Sequence, residues 1–302
     1  MSIATKWLLS ALAALALWYS ARWFALEHAR GLGNPNKSRR PRPMDILIGF
    51  ITNFFDTLGI GSFAPTTAIF KLLNRVPDEE IPGTLNTGHA LPTVVEALVF
   101  IAVVSVDLPT LISMIAAAVA GAYLGVGVVS MLPRRTLQWG MGAALLIAAL
   151  LFVATNLHWL PGGGDALGLH NGRWVLAVAV SFILGGLMML GIGLYAPCLI
   201  LVSLLGMNPL VAFPIMMGAC AFLMPIGGVR FVRSGRYNLR AALGLAFGGI
   251  PGVLVAAFIV KSLPMQWLRW LVVGVVFFAA AQMLTSALRA PVVTIRNGHR
   301  DR

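Results

Sequence analysis

Long apolar stretches alternate with short polar ones along the whole chain, and these stretches set the elements. They fall at about 3–26, 45–73, 81–105, 110–132, 137–157, 174–205, 210–230, 239–262 and 266–288. Helical runs of about 20 apolar residues match the hydrocarbon thickness of a bilayer. The pattern predicts an all-α polytopic membrane protein, with one N-terminal span followed by two sets of four helices. Two stretches are too long for a simple crossing. A straight helix over 45–73 would be about 43 Å long, against a hydrocarbon core of about 30 Å. Glycine and proline interruptions within 45–73 and 174–205 predict a broken first helix in each set, two half-helices around an unwound or re-entrant middle.

The two sets of four form a repeat. The string L-G-I-G-x-x-A-P occurs at Leu58–Pro65 and again at Leu190–Pro197. At the same spacing of 132, Phe50 matches Phe182, Leu72 matches Leu204, Pro77 matches Pro209 and Pro82 matches Pro214. One deletion later, Gly121, Pro133 and Trp139 match Gly252, Pro264 and Trp270 at a spacing of 131. An ordered series of this kind means duplication. The chain therefore divides into an N-terminal membrane anchor and basic cytoplasmic loop over 1–44, repeat 1 over 45–157, a linker over 158–173, repeat 2 over 174–288 and a cytoplasmic tail over 289–302.

Breaks within membrane spans free backbone N–H and C=O groups that lipid cannot satisfy, so they must face protein or a water-filled cavity. Two such breaks at corresponding positions point to a transporter's binding site. Four crossings per repeat would make the repeats parallel, and re-entry of each broken segment would make them inverted. The expectation leans to parallel. It fits Arg30, Lys37, Arg39, Arg40 and Arg42 and the group Arg230–Arg240 as cytoplasmic, but puts Arg134 and Arg135 outside.

Composition agrees with a membrane protein. The chain is 59% hydrophobic and 11% charged, where soluble domains have roughly 25% charged residues. The net charge of +12 lies in short stretches between spans. That is the positive-inside pattern, so no nucleic-acid partner is expected. A multi-pass membrane protein fits. The first span reads as an uncleaved anchor rather than a signal peptide, because it lacks a small-residue cleavage site and carries Trp18, Tyr19 and Trp23 as an interfacial belt. No motif for ATP binding and no metal-ligand spacing is present, and no cofactor is expected. Cys198 and Cys220 read as small buried apolar residues.

The polar chemistry sits in the first half. Asn53 and Asp56 are one helical step apart, just before the first break. Asp56 can serve transport or cap the second half-helix. Asn86, His89, Thr93 and Glu96 follow at spacings of 3, 4 and 3, one ridge of a helix, and Pro92 frees a carbonyl nearby. Ionisable residues within a span are functional candidates by default, although interhelical packing is the plainer alternative. Asn53, Asp56, Asn86, His89 and Glu96 form the candidate coupling set, for a proton or sodium. In the second repeat they map to Gly185, Met188, Gly218, Ala221 and Gly228. Substrate binding is expected between the breaks, from Gly59, Gly61, Ser62, Thr66 and Thr67 on one side and Gly191, Gly193 and Tyr195 on the other. Half-helix N-termini there can attract an anion, or their hydroxyls can simply satisfy the break. Arg230 and Arg233 read as snorkelling to the interface.

The doubled Gly-Ile-Gly break, together with the stretch Arg230–Pro251 (R-F-V-R-S-G-R-Y-N-L-R-A-A-L-G-L-A-F-G-G-I-P), resembles the sulfite exporter TauE/SafE family of bacterial permeases. The resemblance covers about 45–288. It implies a secondary transporter, not an enzyme, exporting a small anion such as sulfite or an organosulfonate. The chain departs from the family where Ser62 and Leu194 follow Gly-Ile-Gly in place of a longer glycine run. Asp56, His89 and Glu96 are not carried over from the family. Two carboxylates near an anion are repulsive unless protonated or paired with a cation. They favour proton or sodium coupling, or else an ion-coupled cation permease using Asp56 and Glu96. An intramembrane enzyme built on Cys198 or His89 lacks a visible nucleophile–base pair, and a non-transporting scaffold is the remaining alternative. Substrate, membrane lipids and a coupling ion are the partners implied. The oligomeric state is not legible in the sequence.

Overall fold

A computed structural model describes residues 3–31, 40–77, 79–124, 139, 142–143, 146–147, 149–150, 153–154, 156–157, 159, 164–189, 194–262 and 265–289. The described residues form α1 (Ile3–Gly31), α2 (Pro43–Thr57), α3 (Phe63–Leu72), α4 (Ile81–Gly88), α5 (Ala90–Val103) and α6 (Leu108–Leu124), then α7 (Asn171–Met189), α8 (Tyr195–Leu204), α9 (Ala212–Ser234), α10 (Leu239–Ser262) and α11 (Met265–Arg289). A short 3-10 turn, Pro209–Val211, leads into α9. Among the described residues there is no strand, only an isolated bridge between Ala166 and Met207. Among the described residues, five helical segments are long and apolar enough to cross a membrane: Ile3–Arg30, Ile81–Val103, Asn171–Met188, Pro209–Ser234 and Leu239–Ile259. The all-α polytopic expectation holds. About half of the predicted span 137–157 lies outside the described residues, as do Arg134 and Arg135.

The first long stretch does break at its glycines. Gly59 and Gly61 take φ of 95° and 88°, a region that costs other residues a Cβ clash. Helix α2 ends there and α3 restarts at Phe63. The chain then turns back rather than continuing. Arg75, just beyond α3, donates from Nη2 to Asp45 Oδ1 at the start of α2, at 2.7 Å. Phe70 near the end of α3 packs in one buried cluster with Ile48 of the first turns of α2. Segment 45–73 is therefore a re-entrant hairpin with both ends at one end of the bundle. The second long stretch behaves alike. Asn208, beyond α8, donates its N–H to the Ala166 carbonyl ahead of α7, at 2.9 Å.

These hairpins enter from opposite ends. Helices α4 and α5 together cross the bundle, and the loop after them meets the segment before α7, where Asp107 N–H donates to the Leu167 carbonyl at 2.8 Å. The second hairpin thus starts at the end away from the first. The two halves are inverted, which corrects the lean to parallel repeats. The expected external position of Arg134 and Arg135 depended on that lean. The correction has a plain physical cause. Two half-helices of 15 and 10 residues are each too short for a bilayer of about 30 Å, yet side by side they hide their broken middle in protein.

The inverted halves exchange partners. Helix α2 lies along α10, and α7 lies along α6. A Cβ on Gly252 would strike the Phe50 carbonyl, and one on Gly121 would strike the Phe182 carbonyl. Both contacts join repeat-matched residues, so the duplication is written into the interface between halves. At the centre, α9 packs on α4 and α5. Helix α1 lies outside this symmetry and buries Leu12, Tyr19 and Trp23 while leaving Ile3, Trp7, Leu17 and Phe24 exposed. The exposed row suits a lipid-facing side.

Charge separates the ends. At the end where α2 begins, Arg30 donates to the Arg233 carbonyl at 2.7 Å, Arg240 donates to the Arg40 carbonyl at 3.2 Å, and Arg75 pairs with Asp45. The Trp23 indole donates to the Tyr237 hydroxyl, which donates in turn to Glu27 Oε1 at 2.7 Å. Burial, then that bond to Glu27, holds the Tyr237 hydroxyl above its ordinary pKa, so it keeps the proton it donates. Among the described residues, Arg30, Arg40, Arg233 and Arg240 from the groups expected on the cytoplasmic side gather at this one end, while Lys37, Arg39 and the tail over 290–302 lie outside the described residues.

Candidate functional site

Four segments converge halfway through the bundle: the end of α2, the start of α3, the α4–α5 kink and the start of α8. The kink follows from sequence. Pro92 has no N–H for the Gly88 carbonyl, so the helix breaks at His89 between α4 and α5. The break turns the imidazole toward the hairpin. Its Nδ1 lies 2.9 Å from Asn53 Oδ1 of α2, and its Nε2 lies 3.1 Å from Thr66 Oγ1 of α3. The Asn53 amide nitrogen donates to the Gly49 carbonyl at 2.7 Å, which leaves its oxygen to accept from His89 Nδ1–H. Nε2 then accepts from Thr66. Assigned this way, His89 is neutral with its proton on Nδ1.

A second group of bonds centres on Glu96, two turns along α5. Its Oε1 lies 2.9 Å from Thr57 Oγ1 of α2, and its Oε2 accepts from the Tyr195 hydroxyl of α8 at 3.1 Å. Asp56 stands beside them and faces the hydroxyl and N–H of Ser62 in the break. Ser62 is thereby drawn away from capping α3, which has no side-chain cap. Asn53, Thr57, Thr66, His89 and Glu96 are fully buried, and Asp56 and Ser62 are nearly so. Among the described residues, the partners found for these side chains include no Lys or Arg. Nor does any group of three or more His, Cys, Asp or Glu there suit a metal.

The candidate residues sort unevenly. Asn53, Asp56, Ser62, Thr66, His89, Glu96 and Tyr195 are brought together. Asn86 is not, because its amide donates to the Pro82 carbonyl at 2.9 Å one turn back. Thr67 donates to the Phe63 carbonyl at 2.7 Å, satisfying its own helix. Gly59 shapes the turn. Gly61 borders open space, with nothing within 4 Å of where a Cβ would stand. Gly191 and Gly193 lie outside the described residues. Asp56 bonds to the Ser62 hydroxyl and N–H in the break and sits beside Glu96.

Sequence reasoning passed over Thr57 and Gly249. Thr57 adjoins Asp56, and its helical face could have placed it on the ridge side. A Cβ on Gly249 would stand 2.5 Å from Asn53 Nδ2 and 2.5 Å from Pro92 Cγ. Only glycine leaves room there for the asparagine. In the other half the sizes are exchanged, with Gly185 in place of Asn53, set against Ala118. Gly228, the repeat partner of Glu96, is covered by the Tyr19 hydroxyl of α1. The Thr93 hydroxyl on the ridge has no partner among the described residues. Cys198 and Cys220 are buried, and the Cys220 thiol lies 3.5 Å from Met188 Sδ.

No curated protein and no solved structure matches the chain. The family profile described as Sulfite exporter TauE/SafE matches residues 1–152 and 174–301. That range takes in both hairpins, the kinked helix and the swapped α2–α10 and α6–α7 pairs, so the chain belongs to the sulfite exporter TauE/SafE family of membrane transporters.

Proposed function

We propose that this chain is a secondary transporter of the bacterial inner membrane that exports a small oxyanion, such as sulfite or an organosulfonate, coupled to a proton or sodium ion. The observation that carries the reading is the meeting of a buried carboxylate from one half with a hydroxyl from the other half's hairpin, in a chain of this family. The oxyanion would lie between the hairpins, beside Gly61, within reach of the Thr93 hydroxyl and the N-terminal N–H groups of α3 and α8. Asp56 and Glu96 would repel it unless a cation offsets them. A proton or cation on these carboxylates would therefore favour anion binding. Alternating access would come from the inverted halves moving about the two hairpins.

A second reading is an ion-coupled cation permease with Asp56 and Glu96 as ligands. It draws on the same two acidic groups and on the lack of a basic partner for them among the described residues. Counterflow in proteoliposomes separates the two. Labelled sulfite should accumulate against unlabelled sulfite or sulfonate, faster on the acid side of neutral if the proton is the coupling ion. Counterflow of labelled sodium or potassium with none of sulfite would overturn the first reading.

A further inference from the structure

One hydroxyl in the site has more to do than its single proton allows. Thr57 Oγ1 lies 2.8 Å from the Asn53 carbonyl oxygen and 2.9 Å from Glu96 Oε1. Threonine has one O–H to give and lone pairs to receive. A carbonyl can only accept. If Thr57 donates to Asn53, as a helical threonine commonly does toward the carbonyl one turn back, then a bond with Glu96 requires a proton on Oε1. If Thr57 donates to Glu96 instead, the contact with Asn53 sets two oxygens together with nothing between them. Glu96 Oε2 is already an acceptor from Tyr195, which leaves Oε1 as the oxygen that carries the proton.

We propose that Glu96 is the proton-carrying group of this transporter, held in this conformation as a neutral acid whose Oε1–H donates to Thr57, with Tyr195 joining it to the second hairpin. Its neighbours fit that role. From α2, Asp56 turns to Ser62 in the break and stands beside Glu96. From α9, Cys220 is the titratable group nearby, with Met188 against its sulfur. On the same ridge, His89 is spent on Asn53 and Thr66. From α1, Tyr19 gives its hydroxyl proton to the Thr87 carbonyl. From α10, the Arg240 side chain reaches the Arg40 carbonyl near the helix start.

Loss of the proton has a definite consequence. An ionised Glu96 would call the Thr57 hydroxyl away from the Asn53 carbonyl and set two negative charges side by side. Tyr195 would then be held by a charged acceptor, which roughly doubles a hydrogen bond's strength. The proton thus changes what holds the start of α8 against α5, the one side-chain bond described between the first-half ridge and the second hairpin.

This assignment serves the coupled-transport reading, yet it is read out without flux. The experiment is infrared difference spectroscopy of the full chain in lipid at neutral pH, in light and heavy water. A carboxylic-acid C=O band that shifts in heavy water is expected in wild type. It should move when the glutamate side-chain carboxyl carbons are isotopically labelled, and Glu27, Glu79 and Glu80 do not share the full burial of Glu96. It should vanish in Glu96→Gln, shift to higher frequency in Thr57→Val and stay in place in Thr57→Ser. A wild type without the band, a band that ignores glutamate labelling, or one unmoved by Thr57→Val would each overturn the proposal. The labelling arm uses native protein, so a misfolded variant cannot obscure the result. Loss of sulfite counterflow with the band intact would count against the anion and leave the proton in place.

Discussion

The clearest consequence of the re-entrant first hairpin is that Arg75 and Asp45 hold its two ends together. Arg75 donates to Asp45 Oδ1 from both Nε and Nη2, at 3.1 and 2.7 Å. The Asp45 side chain is 3% exposed and that of Arg75 is 20% exposed. Truncating Arg75 to alanine would strand a buried carboxylate. Breaking such a pair from one side costs about 3–5 kcal/mol. The partial exposure of Arg75 lets water reach the gap, which places this case near the low end, about 3 kcal/mol. At about 1.4 kcal/mol per tenfold, that is roughly a hundredfold loss in the equilibrium favouring the closed hairpin. The measurement is equilibrium denaturation in detergent for Arg75→Ala, Asp45→Asn and the double variant. The double variant removes both charges and should recover much of the loss, so the coupling should exceed about 1 kcal/mol. Additive effects, or an Arg75→Ala variant within about 0.5 kcal/mol of wild type, would refute the pairing. Topology gives a second check. Single cysteines at 45 and 75, in a background lacking Cys198 and Cys220, should react with an impermeant thiol reagent from the same face. Labelling from opposite faces would mean that the segment crosses.

Asp56→Asn should abolish flux or free it from the ion gradient, and wild-type coupled flux in proteoliposomes would remove Asp56 from coupling. Gly249→Ala should push Asn53 away from His89 and cost about 1–3 kcal/mol, as overpacking does. Gly172→Ala, with nothing within 4 Å, serves as its neutral control in the same thermal-unfolding series. Tyr195→Phe should leave Glu96 Oε2 without its donor and slow coupled transport about 5- to 10-fold, near the worth of one hydrogen bond to a buried group. An unchanged rate would separate Tyr195 from the working site. Thiol-blocking reagents should leave flux intact, since both cysteines are 2% exposed; rapid inactivation would point to an opening that reaches them.

Much of this protein was legible along the chain. The apolar stretches determined the helices, because a bilayer accepts little else. The repeated Gly-Ile-Gly marked the place where the first long stretch breaks, since left-handed backbone angles favour glycine. The 3-4-3 spacing put His89 and Glu96 on one ridge, and the structure keeps them there. What the sequence could not decide was direction. A break permits either a crossing or a return, and the two differ only in whether distant residues such as Asp45 and Arg75 meet. That contact makes the first segment a hairpin, its counterpart beyond α8 makes the second one, and the Asp107–Leu167 bond sets the halves inverted. Partner choice was equally hidden. Asn53 and Gly249 lie far apart in sequence, and nothing local says that one needs the other to be small. The Thr57–Glu96–Tyr195 junction joins three helices from both halves. Spacing along one helix shows which residues share a face, while which face meets which is decided by packing among all the helices at once.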